Sequence, residues 1–259
     1  MSWWTTILGG TVGFMLGGPL GAMLGVAFAG NFSKSKASFG GFDKGFNPGD
    51  QQRVQAAFFS GVFSVMGYIA KADGKVSKAE ILLAQQVMQH MQLDANMQKV
   101  AKELFNQGKQ PGFKLDEVLE QFRLESHRRT DLVRMFLEIQ IQATYADGVL
   151  DDTEHDALKY IAQKLNFSFH ELENLIQQFS ATSHHVSKLS IDDAYVILGV
   201  DKNLTDKEIK RAYRRLLSQH HPDKLVAKGL PEEMMTIAKE KTQEIISAYE
   251  LIKKQRGMR

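Results

Sequence analysis

Residues 205–224 read TDKEIKRAYRRLLSQHHPDK, and the fold and the function both turn on them. Thr205-Asp206-Lys207-Glu208 is a capping box: a hydroxyl at the N-cap and a carboxylate three residues later satisfy two orphan backbone donors and start a helix. Ile209, Ala212/Tyr213 and Leu216/Leu217 then recur at helical spacing and form an apolar stripe. Lys207, Lys210, Arg211, Arg214 and Arg215 occupy the remaining surface; set against Asp206 and Glu208 they leave a net charge of +3 on one helix. Such a field steers an acidic partner. A solvated face explains any one of these cations by itself, but explains four together less well. The helix must stop at His221, because the following Pro222 disfavours the helical region for its predecessor.

Beyond the stop, Pro231 is placed to open a return helix, with Glu232 and Glu233 favouring its N-terminus. Met235, Ala238, Thr242, Ile245, Tyr249 and Ile252 give that helix a stripe to set against the first. Ile191 to Leu198 is a short leading helix. Basic helix, His-Pro-Asp loop and antiparallel return helix, with the phrases DAYVILGV, IKRAYRRL, HHPDK and ISAYEL, resemble the J-domain of DnaJ-type co-chaperones over about Asp192 to Lys254. The resemblance implies a DnaK-type ATP-dependent chaperone as partner, engaged by His221, Pro222 and Asp223 together with Lys210, Arg211, Arg214 and Arg215, and stimulated in its ATP hydrolysis. In physical terms Asp223 offers a charge to a partner cation, Pro222 restricts the loop, and His221 offers a directional hydrogen bond. Pro222 and Asp223 also suit a simple turn, and His220 reads as a neighbour without a role. Leu225 to Leu230 make the loop longer than in many J-domains.

Working outward, residues 51–180 are patterned as helices. Val54, Phe58, Gly61/Val62, Val65 and Ile69 make one stripe; Leu132, Met135/Phe136, Ile139 and Ala143 make another. Alternation of strand type is missing. Two segments repeat, each between helices: ADGKVSKAE from Ala72 and ADGVLDDTE from Ala146. An Asp-Gly with a Glu six residues after the Gly matches the second half of a calcium-binding EF-hand loop. The first half fails, because Ile69 and Lys71 in one copy, and Ala143 and Tyr145 in the other, stand where carboxylates are needed. Helix punctuation accounts for the repeat better, with Gly74 and Gly148 ending helices and Ser77 and Asp151 capping the next. Asp73, Glu80, Asp147 and Glu154 are then the only candidate metal ligands in the repeat, and no metal or cofactor is expected. With RMFLEIQIQATYADG, the helix–ADG–helix repeat resembles the TerB-like helical domain, some of whose members are linked to metal or tellurite stress. His127, His155 and His170 show no metal-ligand spacing, and His184 and His185 fall in a linker over residues 181–189.

The first 33 residues contain no Asp, Glu, Lys or Arg. As a helix, Trp3 to Gly30 would be roughly 42 Å long, more than a hydrocarbon core of ~30 Å requires, with Trp3 and Trp4 as interfacial anchors. Gly9, Gly13, Gly17, Gly21 and Gly25 recur every four residues and make one side-chain-free ridge, the pattern by which two membrane helices approach closely. A homodimer through this ridge is expected; the alternative is a glycine-weakened span kinked at Pro19. Ala27-Phe28-Ala29 resembles a signal cleavage site, but no cation precedes the run, and its length and glycine content favour an uncleaved anchor. Lys34, Lys36 and Lys44 follow the span, so the positive-inside rule puts the bulk of the chain in the cytoplasm. Residues 33–50, rich in Gly, Ser and Phe, read as a linker.

The expected architecture is therefore all-α: a transmembrane anchor over residues 1–32, the linker 33–50, a TerB-like helical bundle over 51–180, a linker 181–189, and a J-domain helical hairpin over 190–259. The order resembles the membrane-anchored DnaJ-like co-chaperones of Gram-negative bacteria, and 225–235 (LVAKGLPEEMM) fits their loop. The cysteine-rich zinc module of the standard DnaJ plan is missing, and the chain has no cysteine, which removes disulfides and thiolate chemistry. No nucleophile–base or metal constellation marks an enzyme. A net charge of +2 and the lack of a base-reading set speak against nucleic acid as partner. The expected function is a co-chaperone that recruits a DnaK-type partner to the inner membrane; the other reading is a stress sensor or adaptor whose middle domain binds a ligand and uses the J-domain as output.

Overall fold

A computed structural model describes residues 18–32, 50–72, 93–145, 150–183 and 189–258, with isolated residues between 82 and 91. Among the described residues there are helices and no strands. They are α1 (Gly18–Phe32), α2 (Asp50–Ile69), α3 (Ala95–Gly108), α4 (Leu115–Glu125), α5 (Thr130–Thr144), α6 (Asp152–Lys164), α7 (Phe169–Ser183), α8 (Ile191–Leu198), α9 (Asp206–His220), α10 (Pro222–Ala227), a 3-10 turn Glu232–Met234, and α11 (Met235–Arg256). Side chains at the ends set several boundaries. Asp94 accepts from the amides of Asn96 and Met97 at the head of α3, and capping boxes open α6 (Asp151 with Glu154), α8 (Ser190 with Asp193) and α9 (Thr205 with Glu208).

The bundle is built around α2. The stripe from Val54 to Ile69 is buried as expected, but so are Gln55, Ser60 and Ser64 on its other faces. The reason is enclosure: α1, α3, α4, α5 and α6 all pack on α2, so beyond its exposed first turn it has no wet side as far as Gly67. Its buried hydroxyls are satisfied within the helix, Ser60 and Ser64 donating to the carbonyls of Ala56 (2.6 Å) and Ser60 (2.7 Å) one turn back. Phe58 meets Phe122 and Phe136 edge-on at 5.9 and 6.1 Å, and those two rings stack at 4.6 Å.

The crossing of α2 and α3 depends on two glycines. A methyl at Gly67 would stand 2.0 Å from the Phe105 carbonyl oxygen, and one at Gly108 1.9 Å from that of Ser64. The backbones touch where other helix pairs keep side chains. Gly108→Ala is expected to force the helices apart at a cost of about 1–3 kcal/mol, read as a lower midpoint in denaturant; an unchanged midpoint would contradict this crossing.

The C-terminal part has its own smaller core of Ala194, Ile197, Leu198, Ile209, Leu216, Ile245, Ala248 and Ile252, with Tyr213 stacked on Tyr249 at 3.9 Å. It departs from a plain hairpin in three ways. First, Pro222 starts α10 directly, in the first-turn position where its missing N–H costs nothing. Second, Pro231 caps the 3-10 turn, and the return helix begins only at Met235. Third, Leu225, Leu230, Met234 and Ala238 belong to the core of the large bundle. In addition, α7 runs to Ser183, into the segment expected as a linker.

At the other end, α1 covers only the second half of the long apolar run; residues 1–17 lie outside the described residues. Leu20, Leu24 and Ala27 are buried against the bundle, and the Leu20 amide donates to Gln121 Oε1 at 2.9 Å. Among the described residues no helix is long and apolar enough to cross a membrane. Of the five ridge glycines, Gly21 is buried and Gly25 half-buried; Gly9, Gly13 and Gly17 lie outside the described residues, as do Trp3, Trp4 and residues 33–49.

Candidate functional site

Helix α9 presents its apolar face inward, with Ile209, Ala212 and Leu216 buried, and that fixes what faces out. Lys210, Arg211, Arg214 and Arg215 are all exposed and make no ion pair with any described residue. They form two neighbouring pairs at a spacing of four residues, so like charges sit side by side at a small helical cost that an external anion would relieve. The acids nearest in sequence are engaged elsewhere. Asp206 pairs with Arg256 Nε at 3.0 Å, and Glu208 is held by Thr205, whose hydroxyl and amide donate to it at 2.7 and 2.8 Å. These hydrogen bonds, the hydroxyl's first, keep the Glu208 carboxyl below its ordinary pKa.

The His-Pro-Asp segment follows at the C-terminal end of this basic face. His221 leaves the helix in an extended conformation (φ −61°, ψ 120°), His221 and Asp223 are exposed, and Pro222 is half-buried. Lys224 turns back to Ser218 Oγ at 2.6 Å. Of the seven residues singled out in the sequence six are exposed and Pro222 is half-buried: an exposed cationic helix face, followed at its C-terminal end by an exposed imidazole and an exposed carboxylate.

Directly beneath that surface is a contact the sequence reasoning missed. His220, read as a bystander, is 2% exposed, and its Nε2 lies 2.9 and 3.1 Å from the two carboxylate oxygens of Glu138 on α5. Glu138 is itself buried. The His220 Nδ1 lies 2.9 Å from the Leu216 carbonyl, which only accepts, so Nδ1 carries a proton and donates. Nε2 then meets the carboxylate, and one further proton is held between them. Burial by itself would push the imidazole pKa down. The Glu138 charge and hydrogen bond, with help from the Leu216 carbonyl and against Lys241, outweigh it, and the value is raised above the ordinary 6.5. For Glu138 burial pushes up, but His220, Lys241 and Arg134 outweigh it, and the carboxyl sits below its ordinary 4.5.

A depressed carboxyl contributes above 4.5 and is lost as pH falls through its folded value, while a raised imidazole contributes below 6.5 and is lost as pH rises through its folded value. The one interaction is therefore complete between these two ordinary values and weakens on the alkaline side as the shared proton leaves. Thermal melts from that window upward in pH should show the chain's stability falling above 6.5, as pH is raised through the folded histidine titration, and the fall should vanish in His220→Gln; a wild-type chain without the fall contradicts the pairing.

Of the candidate metal ligands, Asp73, Glu80 and Asp147 lie outside the described residues. Glu154 is buried and closes the capping box of α6, accepting from the Asp151 amide at 3.3 Å. Among the described residues no group of three His, Cys, Asp or Glu is arranged to hold a metal ion.

Three family models match the chain in order. Residues 1–38 match the co-chaperone DjlA transmembrane domain, 60–177 match tellurite resistance protein TerB, and 193–257 match the DnaJ domain. Among curated proteins, the chain is similar to "Co-chaperone protein DjlA" of Photobacterium profundum, 41% identical over 99% of this chain and 100% of the relative. The protein of that name from Coxiella burnetii is 42% identical over the full length of both. The one from Shewanella oneidensis is 45% identical over 82% of each. No solved structure matches the chain significantly.

Proposed function

The chain belongs to the DjlA co-chaperone family, with its transmembrane, TerB and J-domain parts, and from that membership we propose that it recruits a DnaK-type chaperone to a membrane and accelerates its ATP hydrolysis. The observation that carries this reading is the exposed set Lys210, Arg211, Arg214 and Arg215, unpaired among the described residues, followed by exposed His221 and Asp223. The surface offers four cations, an imidazole and a carboxylate. It can bind and orient a partner, which suits a protein that shifts a partner's conformational population through differential contacts. The four cations attract an acidic face, Asp223 meets a cation on it, and His221 supplies a directional hydrogen bond from a position that Pro222 makes stiff.

In this reading residues 1–32 are the anchor, residues 33–50 space the bundle from the bilayer, and Lys34, Lys36 and Lys44 place the C-terminal parts on the cytoplasmic face. Insertion exchanges the contacts of Leu20, Leu24 and Ala27 with the bundle for contacts with lipid. The glycine ridge from Gly9 to Gly25 supports a homodimer in the membrane; Gly17→Leu with Gly21→Leu should abolish membrane cross-linking of two copies, and cross-linking at the original yield would overturn the ridge.

Recruitment is tested with vesicles carrying the full chain. A DnaK-type chaperone should sediment with them in the presence of ATP and stay in solution with vesicles carrying Asp223→Asn. Equal sedimentation with both would show that the His-Pro-Asp surface is not what recruits.

A further inference from the structure

His221 and Asp223 are exposed and Pro222 is half-buried, but the chain is fastened to the TerB-like bundle on both sides of them. Ahead lies His220, with one ring nitrogen on the Leu216 carbonyl, the other on Glu138, and its own carbonyl accepting from Thr242 Oγ1 at 3.0 Å. Behind, Leu225 and Leu230 are fully buried in the core of the large bundle. The Val226 carbonyl accepts from Gln51 Nε2 at 3.2 Å, and Lys228 pairs with Asp131. Gly229 has φ +104°, and a Cβ there would stand 2.4 Å from Val54 Cγ1 on α2, so the close approach requires glycine. The insertion that lengthens this loop is therefore the docking element, and the motif is strung between two fixed points.

We infer that the TerB-like bundle is a positioning frame for the His-Pro-Asp segment, with Glu138 and His220 as positioning residues that act through the adjacent His221. The inference rests on the reading of that segment as the partner-binding site. Ordering a residue's backbone costs about 1–2 kcal/mol, and a segment already held on both sides spends less of its contact energy on ordering when the partner arrives. Three elements face the imidazole: α9 itself through the Leu216 carbonyl, α5 through Glu138, and α11 through Lys241. Arg134, one turn from Glu138, is bound to Glu171 at 2.7 Å, and Lys241 to Glu244 at 2.8 Å. Those two cations have carboxylates of their own, and Glu138 is left to His220.

The test uses the full chain in lipid nanodiscs with Glu138→Gln, which keeps the shape and removes the charge. Amide hydrogen exchange of residues 223–230 should accelerate about tenfold or more, while α8 exchanges at the wild-type rate. The concentration of chain that half-maximally stimulates a DnaK-type ATPase should rise with pH for wild type, as the shared proton is lost, and be higher and flat with pH for the variant. A merely structural role would change the amount of active chain but not this pH profile. Lys228→Ala acts from the other side through a partly exposed pair, and exchange of residues 223–230 should accelerate there too, which keeps the test open if Glu138→Gln does not fold. Wild-type exchange of these residues in both variants, or in Lys228→Ala when it alone folds, overturns the frame. Absence of stimulation by the wild-type chain would instead remove the partner-binding reading, and the exchange result would still decide whether the bundle holds the segment.

Discussion

Arg211→Glu together with Arg214→Glu should slow association with a DnaK-type chaperone by about 10–100-fold at low salt. Both side chains are exposed and unpaired among the described residues, so the change leaves the fold of α9 intact. It turns a helix of net charge +3 into one of −1. The loss belongs mainly to the encounter rate, because steering acts before contact. It should shrink as salt shortens the screening length from ~10 Å at 0.1 M to ~3 Å at 1 M. Stopped-flow association at several ionic strengths measures it. Equal rates for variant and wild type at low salt, or a difference that salt does not touch, would mean the cations are only a solvated surface.

Phe58→Ala should cost about 3–5 kcal/mol, a large share of the ~5–15 kcal/mol by which domains are stable. Phe58 is fully buried at the meeting point of α2, α4 and α5, with Phe122 and Phe136 against its ring. The cavity cannot close, because α2 is held on every side. The more telling part concerns the J-domain. Leu225, Leu230, Met234 and Ala238 share this core, so melting it should release the His-Pro-Asp segment in the same transition. Fluorescence probes on α4 and on α10 should lose structure together, at one lowered midpoint. Two separate midpoints, with only the α4 probe shifted by the substitution, would describe independent domains on a tether and contradict the docking.

What was legible in the sequence was local. The capping box at Thr205, the stripe from Ile209 to Leu217 and the stop imposed by Pro222 on His221 each depend on residues within a turn or two of one another. The same holds for Asp151 as a cap. What was not legible depended on residues far apart in the chain. The stripe on α2 gave no sign that its polar side would be enclosed too, since that depends on five other helices. Gly67 and Gly108 carry no mark of their mutual crossing. The apolar run was legible as a transmembrane segment, and residues 1–38 match a transmembrane-domain family; the burial of Leu20 and Leu24 against the bundle was not, because an apolar side chain does not say what covers it.

His220 and Glu138 are a partial exception. They are 82 residues apart, so no spacing rule joins them. Yet His220 continues the apolar stripe of α9 one turn past Leu216, and Glu138 stands among Phe136, Leu137 and Ile139. A titratable residue on an apolar face of each of two helices is the signature of a buried pair seeking its partner. Taking His220 for a bystander came from attending to the motif beside it rather than to the face it shares.

Single-turnover ATP hydrolysis by a DnaK-type chaperone, measured with the full chain in nanodiscs beside its His221→Gln variant, tests the co-chaperone account most directly. The wild-type chain should raise the hydrolysis rate about tenfold or more, a barrier lowered by ~1.4 kcal/mol. The variant should leave the rate at its basal value while the amides of residues 223–230 exchange as in wild type. Equal stimulation by both, or none by either, would contradict the account.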